Sequence, residues 1–338
     1  MFFIDKNNLK HLLLGSLFLA TGGGLPPREH QKIFEKLLKI KKKLPVKDIT
    51  EFQENDCLVS MYGVGNPALA KDNFKELLIK SVNLFKKYFG LKIKGLIPGE
   101  IGAEGMAFQG AVYLNLPVVD SDLVGGRAAP EIQMDVFSIY NKPLTPLIAA
   151  VNGKQIVFQG NFLATEIEDT LRNLFGKTKR VGVVVGYPIK AGDYRKIGAK
   201  NTLSKAIKVG KILQSSSQAL QELEKFLKGK IIAQEKLQKV ELENQKGFLI
   251  GWLIFQTKKI WVKNENMACF EKAQSKDKSV AKFPDLIVVL EAKSLKPIHN
   301  TEIKNFINKE LIIFACPGEK YWYTKKGSSL FEITWKNL

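Results

Sequence analysis

The sequence predicts a two-domain protein, with an α/β N-terminal domain on a partly parallel sheet and a β-rich (α+β) C-terminal domain. The length of 338 residues exceeds what one hydrophobic core usually organises. Strand, loop and helix patterns alternate over 56–140, which is typical of parallel pairing. From Lys246 onward, short β-like runs recur between turn signals, which favours antiparallel strands. We place the two domains at 1–168 and 169–338.

The N-terminal elements follow from hydrophobic spacing and from glycine stops. A buried first helix is predicted before the glycines of TGGG, and an amphipathic second helix follows it. A short buried strand, DCLVSMYG, precedes a third helix that ends at a glycine. The next strand leads into a loop of glycines and acids, a helix and the strand LPVVD. The predicted helices cover 6–20, 28–43 and 71–90.

The C-terminal half changes in character. The stretches at 147–160 and 180–190 are β-rich and interrupted by glycine, and 201–230 has the spacing of one or two helices. The later runs GFLIGWLIFQTKKIWVKNE, DLIVVLEA and ELIIFACPG are typical of strands in an antiparallel sheet. The prediction is therefore a β-rich domain with a central helical segment.

Composition argues for a globular protein without a specific nucleic-acid partner. Hydrophobic residues make up 45% of the chain and charged residues 25%, which argues against disorder. The net charge is +19, but only five of the 52 basic residues are arginines, and the lysines are dispersed. Because arginine is the preferred residue for reading phosphates and bases, the charge alone does not indicate specific recognition.

Cysteine and histidine usage argues against a zinc site. The three cysteines and three histidines are scattered, and no HxH, HExxH or CxxC spacing occurs. This usage suits a reducing cytoplasm. The apolar run HLLLGSLFLA is too short to span a bilayer and no A-x-A cleavage site follows it, so we expect neither a signal peptide nor a membrane partner.

Two glycine-rich loops are candidate ligand-binding segments. Thr21, Gly22, Gly23 and Gly24 form a run of four small residues whose backbone amides could cradle an anion. The run lacks the lysine of a phosphate-binding loop, and a tight turn is the alternative interpretation. In PGEIGAEG, Glu100 lies on a second loop where glycine permits close approach to a ligand.

The segment VVDSDLVGGRAAPE gathers the strongest catalytic candidates. Asp120 and Asp122 follow a strand end, where open α/β sheets bind ligands. Alternation in an extended chain turns both carboxylates to one side, so they share a proton, bind a hard cation or are balanced by Arg127. Glu131 suits the positive end of a helix predicted to follow Pro130. The alternative interpretation is a turn without catalytic function, in which these charged side chains only stabilise the local structure.

These arguments give four predicted catalytic residues and five predicted substrate-binding residues. The catalytic residues are Asp120, Asp122, Arg127 and Glu100, and the substrate-binding residues are Thr21, Gly22, Gly23, Gly24 and Glu131. No metal ligand is assigned. A carboxylate-bound Mg²⁺ or Mn²⁺ stays open as an alternative, and no organic cofactor is implied.

Several motifs, in order, resemble one family across nearly the whole chain. They are LGSLFLATGGG, PGEIGAEG, LPVVDSDLVGGRAAPEIQM, NTLSKAIKVGKIL, WVKNENM, FPDLIVVLEAKSLKPI and LIIFACPGEKYW. The sequence resembles the family once called domain of unknown function 917, whose named activity is S-methyl thiohydantoin desulfurase. Its members have an α/β N-terminal and a β-rich C-terminal domain, and many are associated with hydantoinase and oxoprolinase enzymes that act on cyclic amides.

The resemblance implies hydrolysis or desulfurisation of a hydantoin-type or S-methyl thiohydantoin ring, in a cleft between the domains. Asp120 or Asp122 would act as general base, while Arg127 and the glycine-loop amides hold the substrate. The alternative is a non-catalytic accessory or regulatory subunit of a hydantoinase- or oxoprolinase-type enzyme. A homo-oligomer and a hydantoinase-type partner are the protein partners left open.

Overall fold

Two sheets of different kinds organise the chain. The computed structural model describes residues 1–66, 74–178, 180–215, 217–272 and 279–331. An eight-stranded mixed sheet forms the N-terminal domain and a seven-stranded antiparallel sheet forms the C-terminal domain. The predicted fold class is confirmed in both domains.

The first sheet has the strand order β1-β2-β5-β4-β3-β8-β6-β7. The strands are β1 (Phe2–Ile4), β2 (Leu44–Lys47), β3 (Cys57–Val64), β4 (Ile93–Pro98), β5 (Val118–Val119), β6 (Leu147–Val151), β7 (Lys154–Phe158) and β8 (Gly182–Lys190). The pairs β2–β5, β5–β4 and β4–β3 are parallel. All the other pairs of this sheet are antiparallel.

Helices cover both faces of this sheet, which explains why its inner strands are nearly continuous apolar runs. In β3, Val59 and Met61 join the core under the first four helices, while Leu58 and Tyr62 face the core of the opposite side. The helices are α1 (Leu9–Leu19), α2 (Pro27–Ile40), α3 (Lys75–Phe89), α4 (Gly105–Leu114), α5 (Val136–Ile139), α6 (Ala164–Thr178), α7 (Ala191–Ile197), α8 (Thr202–Ser215), α9 (Ala219–Leu227) and α10 (Lys325–Ser329). No helix in the described ranges is long and apolar enough to cross a membrane.

The second sheet has the order β13-β12-β11-β10-β9-β15-β14 and is antiparallel throughout. Its strands are β9 (Lys230–Gln245), β10 (Phe248–Phe255), β11 (Lys258–Lys263), β12 (Glu265–Glu271), β13 (Ser279–Lys282), β14 (Leu286–Glu291) and β15 (Glu310–Cys316). The sheet curls, so that Asn266 Nδ2 on β12 donates to the Ile287 carbonyl on β14 at 3.0 Å.

The chain leaves the first sheet later than the predicted boundary at 168. That position falls inside α6, and β8 then joins the first sheet between β3 and β6. Helices α7, α8 and α9 follow before the second sheet begins at Lys230. The β-rich stretch at 180–190 therefore forms an inner strand of the α/β domain.

Helices α1 and α8 cross at backbone contact, through one glycine on each. A Cβ atom on Gly15 would lie 1.7 Å from the Ala206 carbonyl oxygen, and one on Gly210 would lie 1.9 Å from the His11 carbonyl oxygen. Only glycine permits this approach. The crossing joins the start of the chain to the helical segment that leads to the second domain.

Gly210→Ala is therefore expected to destabilise the protein by at least about 3 kcal/mol, because the two helix backbones must separate to admit the methyl group. Urea unfolding monitored by circular dichroism measures the change. Lys211→Ala, at an exposed neighbouring position, is the control and should change stability by less than about 0.5 kcal/mol. Equal stability of the two variants would contradict the close crossing.

Candidate functional site

A pocket between the two domains collects acidic side chains from distant parts of the chain. Its cavity volume is about 90 Å³. The carboxyl groups that line it belong to Glu100, Glu131, Asp135 and Glu265. Gly24, Tyr62, Tyr187 and Arg172 complete its polar wall, and Leu25, Met106 and Leu123 are among its apolar lining. We call it the carboxyl pocket.

Glu100 enters the pocket from the loop after β4. Its Oε2 accepts a hydrogen bond from the Ala129 backbone N–H at 3.0 Å. Burial raises the pKa of Glu100 to about 8. The hydrogen bond from Ala129 favours the charged form and opposes this shift. The neighbouring carboxylates of Asp122 and Glu104 raise the pKa further. Glu100 is therefore suited to carry a proton near neutral pH.

Glu265, the first residue of β12, enters the same pocket from the other domain. It is 2% exposed, and its Oε2 makes no hydrogen bond within the described part of the chain. Burial raises the pKa of Glu265 well above its usual range, and the charge of Glu100 adds to this effect. The charge of Arg127 opposes it. Burial thus shifts both Glu100 and Glu265 toward their protonated forms.

Three asparagines hold the turn that presents Glu265. Asn264 has a left-handed backbone (φ 59°), and its Oδ1 accepts the Leu249 N–H at 2.9 Å. Asn300 Nδ2 donates to the Asn264 carbonyl at 2.8 Å and to Asn266 Oδ1 at 3.2 Å. All three side chains are buried, so their hydrogen bonds fix the direction in which Glu265 points.

The glycine loop 21–24 lies against this turn. The Thr21 carbonyl accepts the Asn266 N–H at 2.8 Å, and the Gly22 carbonyl accepts the Asn300 N–H at 2.8 Å. The amides of Thr21 and Gly23 donate to the end of α1 at Phe18 and Ala20.

Close packing explains the glycines of this loop. A Cβ on Gly23 would lie 1.9 Å from Glu265 Oε1, and one on Gly22 would lie 2.6 Å from Asn300 Nδ2. Gly24, with φ +77°, packs against the backbone of Gly102 and lines the carboxyl pocket. The loop thus forms one wall of the pocket, with Gly24 as its lining residue.

The two aspartates of the 120–131 segment point away from each other. Asp120 Oδ1 accepts the N–H groups of Leu203 and Ser204 at 2.9 and 3.0 Å, and its Oδ2 accepts the Ser204 hydroxyl. It therefore caps α8. Asp122 is fully buried and accepts the N–H groups of 124, 125 and 126 at 2.6–2.8 Å. Burial raises the pKa of Asp122 to about 6, although those hydrogen bonds favour its charged form.

Arg127 does not bridge the aspartates. Its Nε donates to the Ala128 carbonyl at 3.0 Å, and its Nη1 donates to the carbonyls of Pro284 and Asp285 at 2.7 and 3.2 Å. The guanidinium stacks on Phe283, 4.0 Å from the ring centre. Burial lowers the pKa of Arg127 to about 10, and Glu265 is the acid that most opposes this shift. Arg127 therefore ties the segment to the second domain and faces Glu265 electrostatically.

Glu131 lines the pocket, but no helix begins beside it. The helix predicted after Pro130 begins at Val136, because Asp135 is its N-cap and accepts the Ser138 N–H at 2.7 Å. Glu131 instead accepts hydrogen bonds from Lys263 Nζ and from Gln133 Nε2. Its charge is thus paired across the domain interface.

Arg172 fixes the segment on the opposite side of the pocket. Its Nη2 donates to the Pro130 carbonyl at 2.8 Å, its Nη1 to the Gly247 carbonyl at 2.9 Å and its Nε to Glu168 at 2.6 Å. The guanidinium lies 3.7 Å from the ring centre of Phe248. One arginine therefore holds α6, the pocket wall and the second sheet together.

The structure thus brings Gly24, Glu100 and Glu131 together from the predicted site. It places Asp120, Asp122 and Arg127 in the supporting framework. Pocket residues that sequence reasoning missed are Tyr62, Asp135, Arg172, Tyr187 and Glu265. For Glu265 a signal existed in the sequence. The polar run NEN stands between two apolar strands, and a glutamate enclosed by such strands is a candidate for a buried acid. The buried tyrosines carry no sequence signal that separates them from core residues.

Within the described ranges, no group of three or more His, Cys, Asp or Glu residues could hold a metal ion. The described residues offer buried carboxyl groups with raised pKa values, and two buried tyrosine hydroxyls lie 3.1 Å apart at the edge of the pocket.

The fold and the pocket define a two-domain protein with a pocket of buried carboxyl groups at the domain interface. The description "S-Me-THD-like, N-terminal domain" matches residues 7–160, and "S-Me-THD-like, C-terminal domain" matches residues 140–333. The chain belongs to the S-Me-THD-like family, so the resemblance drawn from its motifs is confirmed.

A crystal structure of a protein from Chromobacterium violaceum has the same fold. Its TM-score is 0.82 at 20% sequence identity, and the alignment covers 100% of this chain and 97% of that one. At this identity the likeness concerns the fold alone. No curated protein matches the chain.

Proposed function

We propose that the carboxyl pocket hydrolyses a hydantoin-type substrate at a ring carbon, with S-methyl thiohydantoin as the leading substrate and Glu100 and Glu265 as the acid–base pair. The observation that carries this proposal is the presence in one pocket of two carboxyl groups, one from each domain, whose pKa values are both raised by burial. The charge of Glu100 raises the pKa of Glu265 further. In the proposed reaction one of them carries a proton and the other is ionised, which is the arrangement that general acid–base catalysis requires.

The proposed reaction consumes one water molecule. The ionised carboxylate accepts a proton as water attacks the ring carbon that bears the methylthio group, and a C–O bond forms. The protonated carboxyl donates its proton to the adjacent ring nitrogen. Collapse of the tetrahedral adduct then breaks the C–S bond, the sulfur leaves with a proton as methanethiol, and the ring carbon becomes a carbonyl. The products are hydantoin and methanethiol.

The pocket suits a small planar ring. A cavity of about 90 Å³ excludes large substrates. A neutral carboxyl can donate to a ring carbonyl, while an ionised one accepts a ring N–H. Glu265 Oε2 is a buried acceptor without a partner within the described residues, and such a group is satisfied best by a ligand. Met106 and Leu123 offer apolar contacts for the methylthio group.

Turnover of S-methyl thiohydantoin by the purified protein tests the proposal. Free methanethiol is measured with a thiol reagent, and mass spectrometry of the hydantoin formed in ¹⁸O-water shows whether the new carbonyl oxygen comes from water. We expect one ¹⁸O atom per product. If no S-methyl thiohydantoin tested releases methanethiol, the proposal is rejected and the non-catalytic subunit is favoured.

The pH dependence of turnover follows from the shared proton. The pKa of Glu100 is raised to about 8, so the proton-donating form of the pair is lost as pH rises through that value. We expect kcat/KM to fall about tenfold per pH unit above roughly pH 8. Initial rates in overlapping buffers measure this. A rate that keeps rising to pH 10 would indicate hydroxide attack without a carboxylic acid.

Asp122→Asn is expected to lower the stability of the protein more than its rate of turnover. Three backbone N–H groups lose part of a charged acceptor, which costs about 1–3 kcal/mol of unfolding free energy. Turnover per folded molecule should fall less than about threefold, because Asp122 does not line the pocket. Urea unfolding and steady-state kinetics measure the two effects. A lost activity at unchanged stability would restore Asp122 to the catalytic role predicted from the sequence.

A further inference from the structure

We propose that a second cavity, on the other side of the glycine loop, binds a single-chain amphiphile with a carboxylate head. This cavity has a volume of about 340 Å³, within the range of small-molecule sites. It is lined by Lys6, Leu9, Lys10, Leu13, Leu14, Leu17, Ala20, Gly23, Leu25, Pro27, His30, Gln31, Gly102 and Lys296. We call it the leucine cavity. Its occupancy is independent of the reaction proposed above.

The floor of the cavity is a leucine stripe on α1. Leu9, Leu13 and Leu17 recur every four residues, so they lie along one side of the helix. All three are only partly buried, while the side that carries Gly15 packs against α8. An apolar stripe at the bottom of a concave site offers a binding surface for a hydrocarbon chain.

The charged groups of the cavity are all cationic or neutral. Lys6, Lys10 and Lys296 line it and no carboxylate does. The first turn of α1 has no acidic residue, so the positive end of the helix adds to the lysine charges. The nearby Asp5 carboxylate accepts the N–H groups of Asn7 and Asn8. A head group bound at this end must therefore be anionic.

The other end of the cavity lies at the glycine loop, where the buried Glu104 carboxylate stands behind His30, its Oε1 3.8 Å from His30 Nε2. Ala20, Gly23 and Gly102 line it together with His30. Burial lowers the pKa of His30, and its Nε2 accepts the Gly105 N–H at 3.2 Å, so the imidazole is neutral there. The helix between the two ends, of eleven residues, is about 16 Å long. The alkyl chain accordingly lies along α1 with its tail toward Gly23.

Isothermal titration calorimetry with decanoate tests this inference. We expect one decanoate per chain, and weaker binding of shorter carboxylates by about fourfold per methylene removed. Decanol and decyltrimethylammonium have the same chain without the anionic head, and we expect no measurable binding of either. Tight binding of decyltrimethylammonium would overturn the assignment, because the lysines would then play no part.

Two variants locate the site. Leu13→Glu places a charge on the floor and should weaken decanoate binding by at least about tenfold. Leu163→Glu, at a position 68% exposed elsewhere on the protein, is the matched control and should leave binding unchanged. Lys10→Glu, at an exposed site, should weaken binding about fivefold without affecting folding. Decanoate binding that is insensitive to both Leu13→Glu and Lys10→Glu would overturn the inference.

Sedimentation velocity distinguishes a ligand site from a contact between two copies of the chain. If the leucine stripe is covered by a second copy, the wild type sediments as a dimer, Leu13→Glu sediments as a monomer and decanoate does not bind. That result would replace the amphiphile by self-association. An unchanged oligomeric state in Leu13→Glu, together with lost decanoate binding, supports the proposed ligand.

Discussion

Glu265→Gln is expected to reduce kcat for S-methyl thiohydantoin by about 10²–10⁴-fold, the usual contribution of a general acid or base. The amide retains the shape of the side chain but neither gains nor loses a proton. Glu100→Gln should have an effect of similar size, and the double variant should lose little more than either single one, because the two carboxyls act as a unit. Steady-state rates of methanethiol release measure all three.

The control for these variants is Glu241→Gln, an exposed acid on β9, which should keep full turnover. Stability separates a catalytic loss from misfolding. The folded pKa of Glu100 is raised to about 8, whereas the unfolded value is about 4.3. Its contribution to stability is thus complete below about pH 4 and is lost as pH rises toward about 8. Glu100→Gln should flatten this decline, and an unchanged decline would place the titrating group elsewhere.

Gly23→Ala is expected to abolish turnover and to destabilise the protein by about 2–4 kcal/mol. The added methyl group would lie 1.9 Å from Glu265 Oε1, so either the carboxyl group or the glycine loop must move. Because the loop carbonyls at 21 and 22 are bound by Asn266 and Asn300, movement of the loop also loosens the domain interface. Thermal unfolding and methanethiol release measure the two consequences.

Gly90→Ala is the matched control for this substitution. Gly90 ends α3 with φ +63°, and no atom lies within 4 Å of its added Cβ. The change there costs only the backbone preference, about 1 kcal/mol, and should leave turnover intact. If Gly23→Ala behaves like Gly90→Ala, the close approach of Gly23 to Glu265 is not required for the reaction.

The fold was largely readable from local patterns. Continuous apolar runs such as that of β3 and glycine stops such as Gly90 are properties of short segments, so the α/β alternation and the later antiparallel strands follow from them. The membership of β8 was not readable. Its run of valines suits either sheet, and only long-range pairing with β3 and β6 places it in the first domain.

Only part of the candidate site could be predicted from the sequence, because its residues are brought together by long-range contacts. Sequence spacing shows which acids follow strand ends, and it drew attention to Glu100 and Glu131, which line the carboxyl pocket. It cannot show where backbone N–H groups converge, and those donors turn the carboxylates of Asp120 and Asp122 into caps. The partner of Glu100 lies 165 residues further along the chain, at Glu265, and only the docking of the second sheet brings the two together.

The division of the carboxyl pair between two domains links their docking to the proton concentration. Separated, each carboxyl group would be solvated and would ionise as an ordinary glutamate. In the docked arrangement burial raises the pKa values of both groups. Docking of the two domains near neutral pH is therefore expected to take up protons from the buffer, and mild acid should stabilise the interface. The same protonation equilibrium would thus affect both the stability of the domain interface and the proposed acid–base reaction.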